Sequence, residues 1–266
     1  VPRARALPHG RTFELARFDV LGSPRRVRVH VPPSPTSAHD KPRPALVLFD
    51  GQNVLDDHGS FAGGWHAHAA VDKHASVREG HRAPVVVAID HGGASRIDEL
   101  GPFAHGAQGG KLDQVLDVLI ERVLPALHAR LPIVAGPEGH TIGGSSMGGL
   151  AALYAHFRRP DVFAGALAMS PSLWFSSRRI FDFVLAQSNP YRSRVYLDAG
   201  AREARGRMLA LAEGLARHLR ARGYREEPPG RGALGTYLMW RPDQRGGHDE
   251  RSWRRRLPKA LRFLFP

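Results

Sequence analysis

The stretch HTIGGSSMGGLAALYA, His140 to Ala155, contains Gly144-Ser145-Ser146-Met147-Gly148, which is the G-x-S-x-G spacing of a nucleophile elbow. Such an elbow turns from strand to helix so tightly that the residues two before and two after the nucleophile must be small. That condition selects Ser146 and leaves out Ser145. Strand-like HTIGG precedes the turn and helix-like GGLAALYAHF follows it, so helix N-terminal amides would lie beside the hydroxyl and favour negative charge there. A glycine-rich turn without chemistry could carry the same five letters; the strand-and-helix setting is what argues for a catalytic serine.

A serine hydroxyl is a weak nucleophile at neutral pH and needs an imidazole base, itself oriented by a carboxylate. In strand-to-helix elbows of this kind the acid and then the histidine follow the serine in the chain, each in a loop after a late strand. Of the histidines, only His218 and His248 lie beyond the strand-like RVYLDA, and His218 falls inside a helical period. His248, in RPDQRGGHDERSW, comes after the last strand-like run with Gly246 and Gly247 beside it, and it is the candidate base. For the acid, Glu203 sits a few residues past a strand end, where an orienting carboxylate belongs, and Asp198, within the strand, is the alternative. The oxyanion of acyl transfer needs two fixed donors. One is expected from the Met147 amide and the other from the loop after ALVLFD, at Gln52 or alternatively Gly51.

The elements that must position these residues are strand-like segments at Thr12–Val20, Arg25–Val31, Ala45–Asp50, Pro84–Asp90, His140–Gly144, Phe163–Ser170, Arg194–Ala199 and Leu234–Arg241. ALVLFD, PVVVAID and RVYLDA are short and apolar, as strands covered on both faces are. The first two alternate instead: Val27, Val29 and Val31 share one side and Arg26, Arg28 and His30 the other, which reads as an edge hairpin turning at LGSP. Helical periods separate the later strands. Met208, Leu211, Ala212, Leu215 and Leu219 make one stripe, and Leu112, Val115, Leu116, Leu119 and Val123 make another before Pro125, which should kink or end that helix. This alternation predicts one α/β domain over residues 1–266, with a mostly parallel sheet of about eight strands, an antiparallel N-terminal edge and helices on both faces. The proline-rich VPPSPTSAHDKPRP, Val31 to Pro44, reads as a surface loop.

Composition narrows the function classes. The chain of 266 residues has no cysteine, which removes disulfides, thiolate metal sites and a cysteine nucleophile. Its formal charge is +13, yet Lys41, Lys73, Lys111 and Lys259 are its lysines, so the charge is arginine spread along the chain without interleaved aromatics. Nucleic-acid binding is not expected from that pattern, whereas an anionic substrate would be attracted. No run reaches the length of a membrane helix and no apolar leader follows the basic N-terminus, so the expectation is a soluble protein without membrane insertion. The cytoplasm is favoured over export with a leader already removed. His66, His68 and His74 crowd WHAHAAVDKH, but no Glu completes an H-E-x-x-H spacing and no catalytic metal is expected.

Seven separate stretches together resemble the bacterial putative-esterase family of α/β-hydrolases, the group that includes enterochelin, feruloyl and esterase D-like esterases. They are LVLFDGQNVLDD, SFAGGW, VVVAIDHGGASRIDEL, IGGSSMGGL, MSPSLWF, YLDAGARE and GGHDERSWRRRLPKAL, in the family's order. The resemblance implies an α/β-hydrolase fold and a cofactor-free serine esterase, with Ser146, His248 and the Gln52 and Met147 amides in the roles just given and Glu203 at the acid position. It implies an ester substrate of short-chain, aryl or siderophore type, with Trp174, Phe175 and Arg96 as candidate substrate contacts: an aromatic wall for a planar acyl group and a cation for a carboxylate or catecholate. The same two aromatics could instead pack the core, and Arg96 could instead pair with Asp98 or Glu99. GPFAHGAQGGKLDQ stands where the family has an aromatic, acidic segment, and no large lid domain is visible. An acyltransferase using the same acyl-enzyme, and a non-catalytic binding protein on a hydrolase fold, are the rival readings.

Overall fold

The short apolar runs and the alternating N-terminal pair assemble into one eight-stranded sheet in the computed structural model, which describes residues 10–33, 41–58, 60, 62–77, 83–190, 192–226 and 235–266. In chain order the elements are β1 (Arg11–Val20), β2 (Ser23–Val31), β3 (Ala45–Leu48), α1 (Gly51–Val54), α2 (Ala67–Val77), β4 (Val85–Ile89), α3 (Arg96–Leu100), a small hairpin of β5 (Ala104–His105) and β6 (Gln108–Gly109), α4 (Leu112–Val118) and α5 (Leu124–Arg130). There follow β7 (His140–Ser145), α6 (Met147–Arg158), β8 (Gly165–Met169), α7 (Arg179–Ala186), β9 (Arg194–Gly200), α8 (Arg207–Ala221), β10 (Tyr237–Asp243) and α9 (Glu250–Leu264). The sheet order is β1-β2-β4-β3-β7-β8-β9-β10. β1 and β2 pair antiparallel, β2 meets β4 antiparallel, and every neighbour from β4 to β10 runs parallel.

The expected edge hairpin closes through Leu21 and Gly22, both at positive φ, the two-residue turn whose twist matches paired strands. Along β3 the side chains alternate between two cores: Ala45 and Val47 join the layer of α4–α8, and Leu46 and Leu48 the layer of α2 and α9. Each such leucine, fully buried, stabilises the fold by roughly 1.5–3 kcal/mol relative to an exposed one. Because both faces are covered, α6 behind β7 is buried along nearly its whole length.

One expectation is modified. Pro125 does not end its helix: a π turn over Leu119–Val123 absorbs the missing amide, and α5 continues with the proline in its first turn. The stretch GPFAHGAQGGKLDQ, which stands in place of the family's aromatic, acidic segment, carries the β5–β6 hairpin, held on Phe175 by His105 at 5.2 Å between rings and by Ser176 Oγ donating to the Ala104 carbonyl at 2.7 Å. Half of the proline-rich loop, residues 34–40, lies outside the described residues.

Candidate active site

β7 delivers the chain to Ser146, which caps α6 with φ 56° and ψ −120°, a backbone conformation costly for a residue with a side chain. The flanking glycines are steric requirements. A β-carbon at Gly144 would lie 2.5 Å from the Gly148 carbonyl carbon, and one at Gly148 would lie 3.0 Å from Asp50 Oδ2. The first α6 hydrogen bond runs from the Leu150 amide to the Ser146 carbonyl, so the Met147 amide belongs to the helical first turn, whose N–H groups have no intrahelical acceptor.

His248 reaches Ser146 from the loop between β10 and α9, with Nε2 2.9 Å from Oγ. Its Nδ1 lies 2.9 Å from Glu203 Oε2. A carboxylate oxygen only accepts, so Nδ1 carries the hydrogen and Nε2 presents its lone pair to the serine. The two loops that bring Glu203 and His248 together are in close contact. A β-carbon at Gly200 would lie 2.3 Å from the Gly246 carbonyl oxygen, and the Arg202 amide donates to that oxygen at 3.2 Å. Beyond the histidine, Asp249 accepts from the Ser252 amide at 2.8 Å and caps α9, fixing where the loop ends. The Trp253 ring stands edge-on to the His248 imidazole at 5.1 Å. His248 remains 38% exposed while the Glu203 carboxylate is sealed from solvent, which leaves the serine side open to a substrate.

The two candidate acids separate clearly. Glu203 Oε1 accepts from Ser170 Oγ and from the Gly200 amide, both at 2.7 Å, and its other oxygen faces the histidine. Asp198 is wholly buried one layer away, accepting from the Ser170 amide at 3.0 Å and Tyr196 Oη at 3.1 Å with Arg256 Nε 3.3 Å off. Desolvation pushes the Asp198 carboxyl up to about 7, against the pull of Arg256.

Opposite the elbow, Asp50 leaves β3 in the left-handed region at φ 59° and caps α1. A β-carbon at Gly51 would lie 2.6 Å from the Ile89 carbonyl carbon, so glycine is required where this loop crosses β4. Gln52 follows, in the first turn of α1. Its side chain is pinned to His91, accepting from the His91 amide at 3.0 Å and donating to its carbonyl at 3.2 Å. Two N-terminal turns, at Gln52 and at Met147, thus flank Asp50, whose carboxylate lies against Gly148.

Arg96 forms a fork with Asp50, Nε to Oδ1 at 2.6 Å and Nη2 to Oδ2 at 2.8 Å. Neither Asp98 nor Glu99 is its partner: Asp98 meets Lys111 at 3.0 Å and Glu99 meets Arg25 at 2.5 Å. Burial acts to lower the Arg96 pKa, but Asp50 outweighs it and holds the guanidinium above its usual value. Trp174 and Phe175, adjacent in sequence, part company: Trp174 is 51% exposed and Phe175 is in the core. His66, His68 and His74 are engaged separately, with Asp57, the Leu55 carbonyl and the Phe265 carbonyl. Sequence reasoning missed Ser172, whose Oγ lies 3.2 Å from Ser146 Oγ, as well as Ser170, Trp253 and Arg256 behind the acid. Ser170 and Ser172 stand in the quoted MSPSLWF and Trp253 and Arg256 in GGHDERSWRRRLPKAL, so the motifs held them, but no local pattern marks their partners.

The family model described as "Putative esterase" matches residues 19–264, almost the whole chain. The chain belongs to this esterase family. A stretch of 68 residues is 43% identical to the siderophore triacetylfusarinine C esterase of Aspergillus fumigatus, covering 26% of this chain and 23% of that protein. Among solved structures, the enterobactin esterase of Shigella flexneri aligns with a TM-score of 0.69 at 24% identity, over 99% of this chain and 60% of that one. The siderophore hydrolase EstB of Aspergillus nidulans aligns with a TM-score of 0.68 at 20% identity, over 99% and 97%. The esterase therefore has the α/β-hydrolase fold, with the antiparallel β1–β2 edge and helices on both faces of its sheet. Among its described residues no helix is long and apolar enough to cross a membrane.

Proposed function

We propose that this single-domain esterase hydrolyses carboxylic esters through an acyl-enzyme on Ser146, with His248 as general base and Glu203 as the acid that orients it. The observation that carries the reading is the unbroken relay from Ser146 Oγ to His248 Nε2, and from His248 Nδ1 to Glu203 Oε2, each link 2.9 Å. His248 takes the serine proton as Oγ adds to the ester carbonyl, and the imidazolium then returns it to the departing alcohol oxygen. The tetrahedral oxyanion is received by the amides of Met147 and Gln52, helped by the positive end of α6. Water, deprotonated by the same histidine, then releases the acid.

The substrate we assign is an ester of an aryl or siderophore-type acid. Half-exposed Trp174, two residues beyond Ser172, offers a flat apolar face near the nucleophile for a planar acyl group. Arg96 carries positive charge beside the turn at Gln52, where it meets Asp50, yet Asp50 engages two of its nitrogens, so its pull on an anionic group is partial. The named relatives act on siderophores, which supports the same choice.

The test is a hydrolysis panel of short aliphatic p-nitrophenyl esters, feruloyl esters, acetylated xylan and catecholate trilactones. Wild type should turn over at least one class and favour the aryl and siderophore types, Ser146→Ala should turn over none, and Trp174→Ala should raise KM for aryl esters more than for acetyl esters. Turnover by Ser146→Ala equal to wild type would sink the mechanism, and a preference for acetylated xylan would sink the substrate assignment.

A further inference from the structure

Ser170 is a fully buried serine at the end of β8 with φ 44°, in the region where glycine is at ease and other residues are strained. Its hydroxyl has one hydrogen and two lone pairs. Trp253 Nε1 lies 3.0 Å from Ser170 Oγ and Arg256 Nη2 lies 2.9 Å away, and both groups can only donate. The lone pairs are thereby filled. The single hydrogen has one direction left, to Glu203 Oε1 at 2.7 Å. The Ser170 backbone is fixed as well, its amide donating to Asp198 Oδ1 and to the Asp198 carbonyl at 3.0 and 3.1 Å.

From this saturated hydroxyl, and resting on the serine-esterase reading above, we propose that Ser170 is a positioning residue for the Glu203–His248 pair, oriented by Trp253 and Arg256 of α9. A carboxylate with both oxygens equally free can rotate and share the imidazole hydrogen poorly. Here Oε1 is fixed by Ser170 Oγ and the Gly200 amide, so Oε2 is the oxygen turned to His248. The same helix α9 touches both ends of the arrangement, since the Trp253 ring also lies against the His248 ring. A strained backbone that retains a side chain where glycine would fit accords with a hydroxyl kept for its hydrogen bond. The charged and titratable groups around the pair are Arg256, with Nη2 3.7 Å from Glu203 Oε1, Asp198 and Tyr196 beneath it, and Asp249 and Glu250 after the histidine.

The experiment uses the full chain with Ser170→Ala and Ser170→Gly, the second chosen because glycine suits the backbone angle. Three readings are taken: the pH profile of kcat/KM, the rate of fluorophosphonate labelling, and the low-field proton resonance of the His248 Nδ1 hydrogen. Loss of one hydrogen bond to a charged carboxylate should lower kcat and the labelling rate by about 10- to 100-fold with KM nearly unchanged. The acid limb should move to lower pH, because a loosened Glu203 stabilises the imidazolium less, and the low-field resonance should shift. If both variants keep the wild-type limb and resonance, the proposal is overturned, whether or not their turnover falls, since a merely structural role would leave both in place. Should neither fold, Trp253→Phe keeps a ring against His248 and removes the N–H; an unmoved resonance there overturns the proposal equally. The resonance reports on the Glu203–His248 contact without any substrate, so failure of the esterase reading, seen as undiminished labelling of Ser146→Ala, is a separate result.

Discussion

Replacing Glu203 by glutamine changes one heavy atom, an oxygen for an NH2 nitrogen, and should stop the enzyme almost entirely. The amide must place one NH2 and one oxygen where the carboxylate has two acceptors. At the Oε1 position it meets the Gly200 N–H, a donor, and the Ser170 hydroxyl, whose lone pairs are already taken by Trp253 and Arg256. An NH2 there would face a donor and a hydroxyl with no acceptor capacity left, so the glutamine oxygen takes that site and the NH2 turns to His248. Nδ1 must then accept, which moves the ring hydrogen to Nε2, where it faces Ser146 Oγ in place of the lone pair. Serine attack needs the opposite tautomer, and locking the wrong one costs roughly 10⁴-fold in kcat, or about 5.5 kcal/mol of barrier. Glu203→Ala imposes no tautomer, so it should lose no more than Glu203→Gln does. The assay is steady-state hydrolysis of an activated aryl ester, with circular dichroism to verify that both variants fold. The reasoning is refuted if Glu203→Gln keeps more than about a tenth of wild-type kcat, or clearly exceeds Glu203→Ala.

Three further outcomes follow from the same contacts. Gly144→Ala pushes a methyl against the Gly148 backbone and should destabilise by about 1–3 kcal/mol in denaturant titration, with turnover falling further because the elbow moves. His156, fully buried between the Phe163 carbonyl and Ser193, has its pKa lowered by desolvation to about 4. Its native pKa lies below the unfolded value of 6.5, so the stability is present above pH 6.5 and lost as pH falls toward 4. The loss amounts to about 3 kcal/mol, and His156→Gln should flatten that part of the stability curve. Arg256→Met removes the cation that pulls the buried Asp198 carboxyl down to about 7, so in the variant it should stay protonated to higher pH, and the penalty, reaching about 3–5 kcal/mol, should grow as pH rises above 7 and be smaller at pH 5. A penalty independent of pH in thermal melts would contradict this account of Asp198.

The sheet was legible because its strands are short apolar runs bounded by turn residues, a pattern carried by neighbours in sequence. The meeting of Ser146 and His248 was legible because an elbow imposes small residues at fixed offsets and because few histidines follow the late strands. The acid stayed ambiguous for a reason the structure makes plain: β9 runs on to Gly200, so Asp198 and Glu203 straddle the strand end, and only the packing of the 200 and 246 loops decides which one meets the histidine. Arg96 was read against its local neighbours Asp98 and Glu99, whereas its partner Asp50 is 46 residues earlier. Ser170 is bound across 33, 83 and 86 residues of chain to Glu203, Trp253 and Arg256, separations that no local spacing encodes. Trp174 and Phe175 share a sequence environment, but only Phe175 lies under the β5–β6 hairpin.

The central claim, that His248 makes Ser146 a nucleophile, is tested most directly by fluorophosphonate labelling followed by peptide mass mapping. The account predicts one adduct, on Ser146, absent from Ser146→Ala and formed far more slowly in His248→Ala. An adduct on another residue, or equal labelling rates in wild type and His248→Ala, would contradict it.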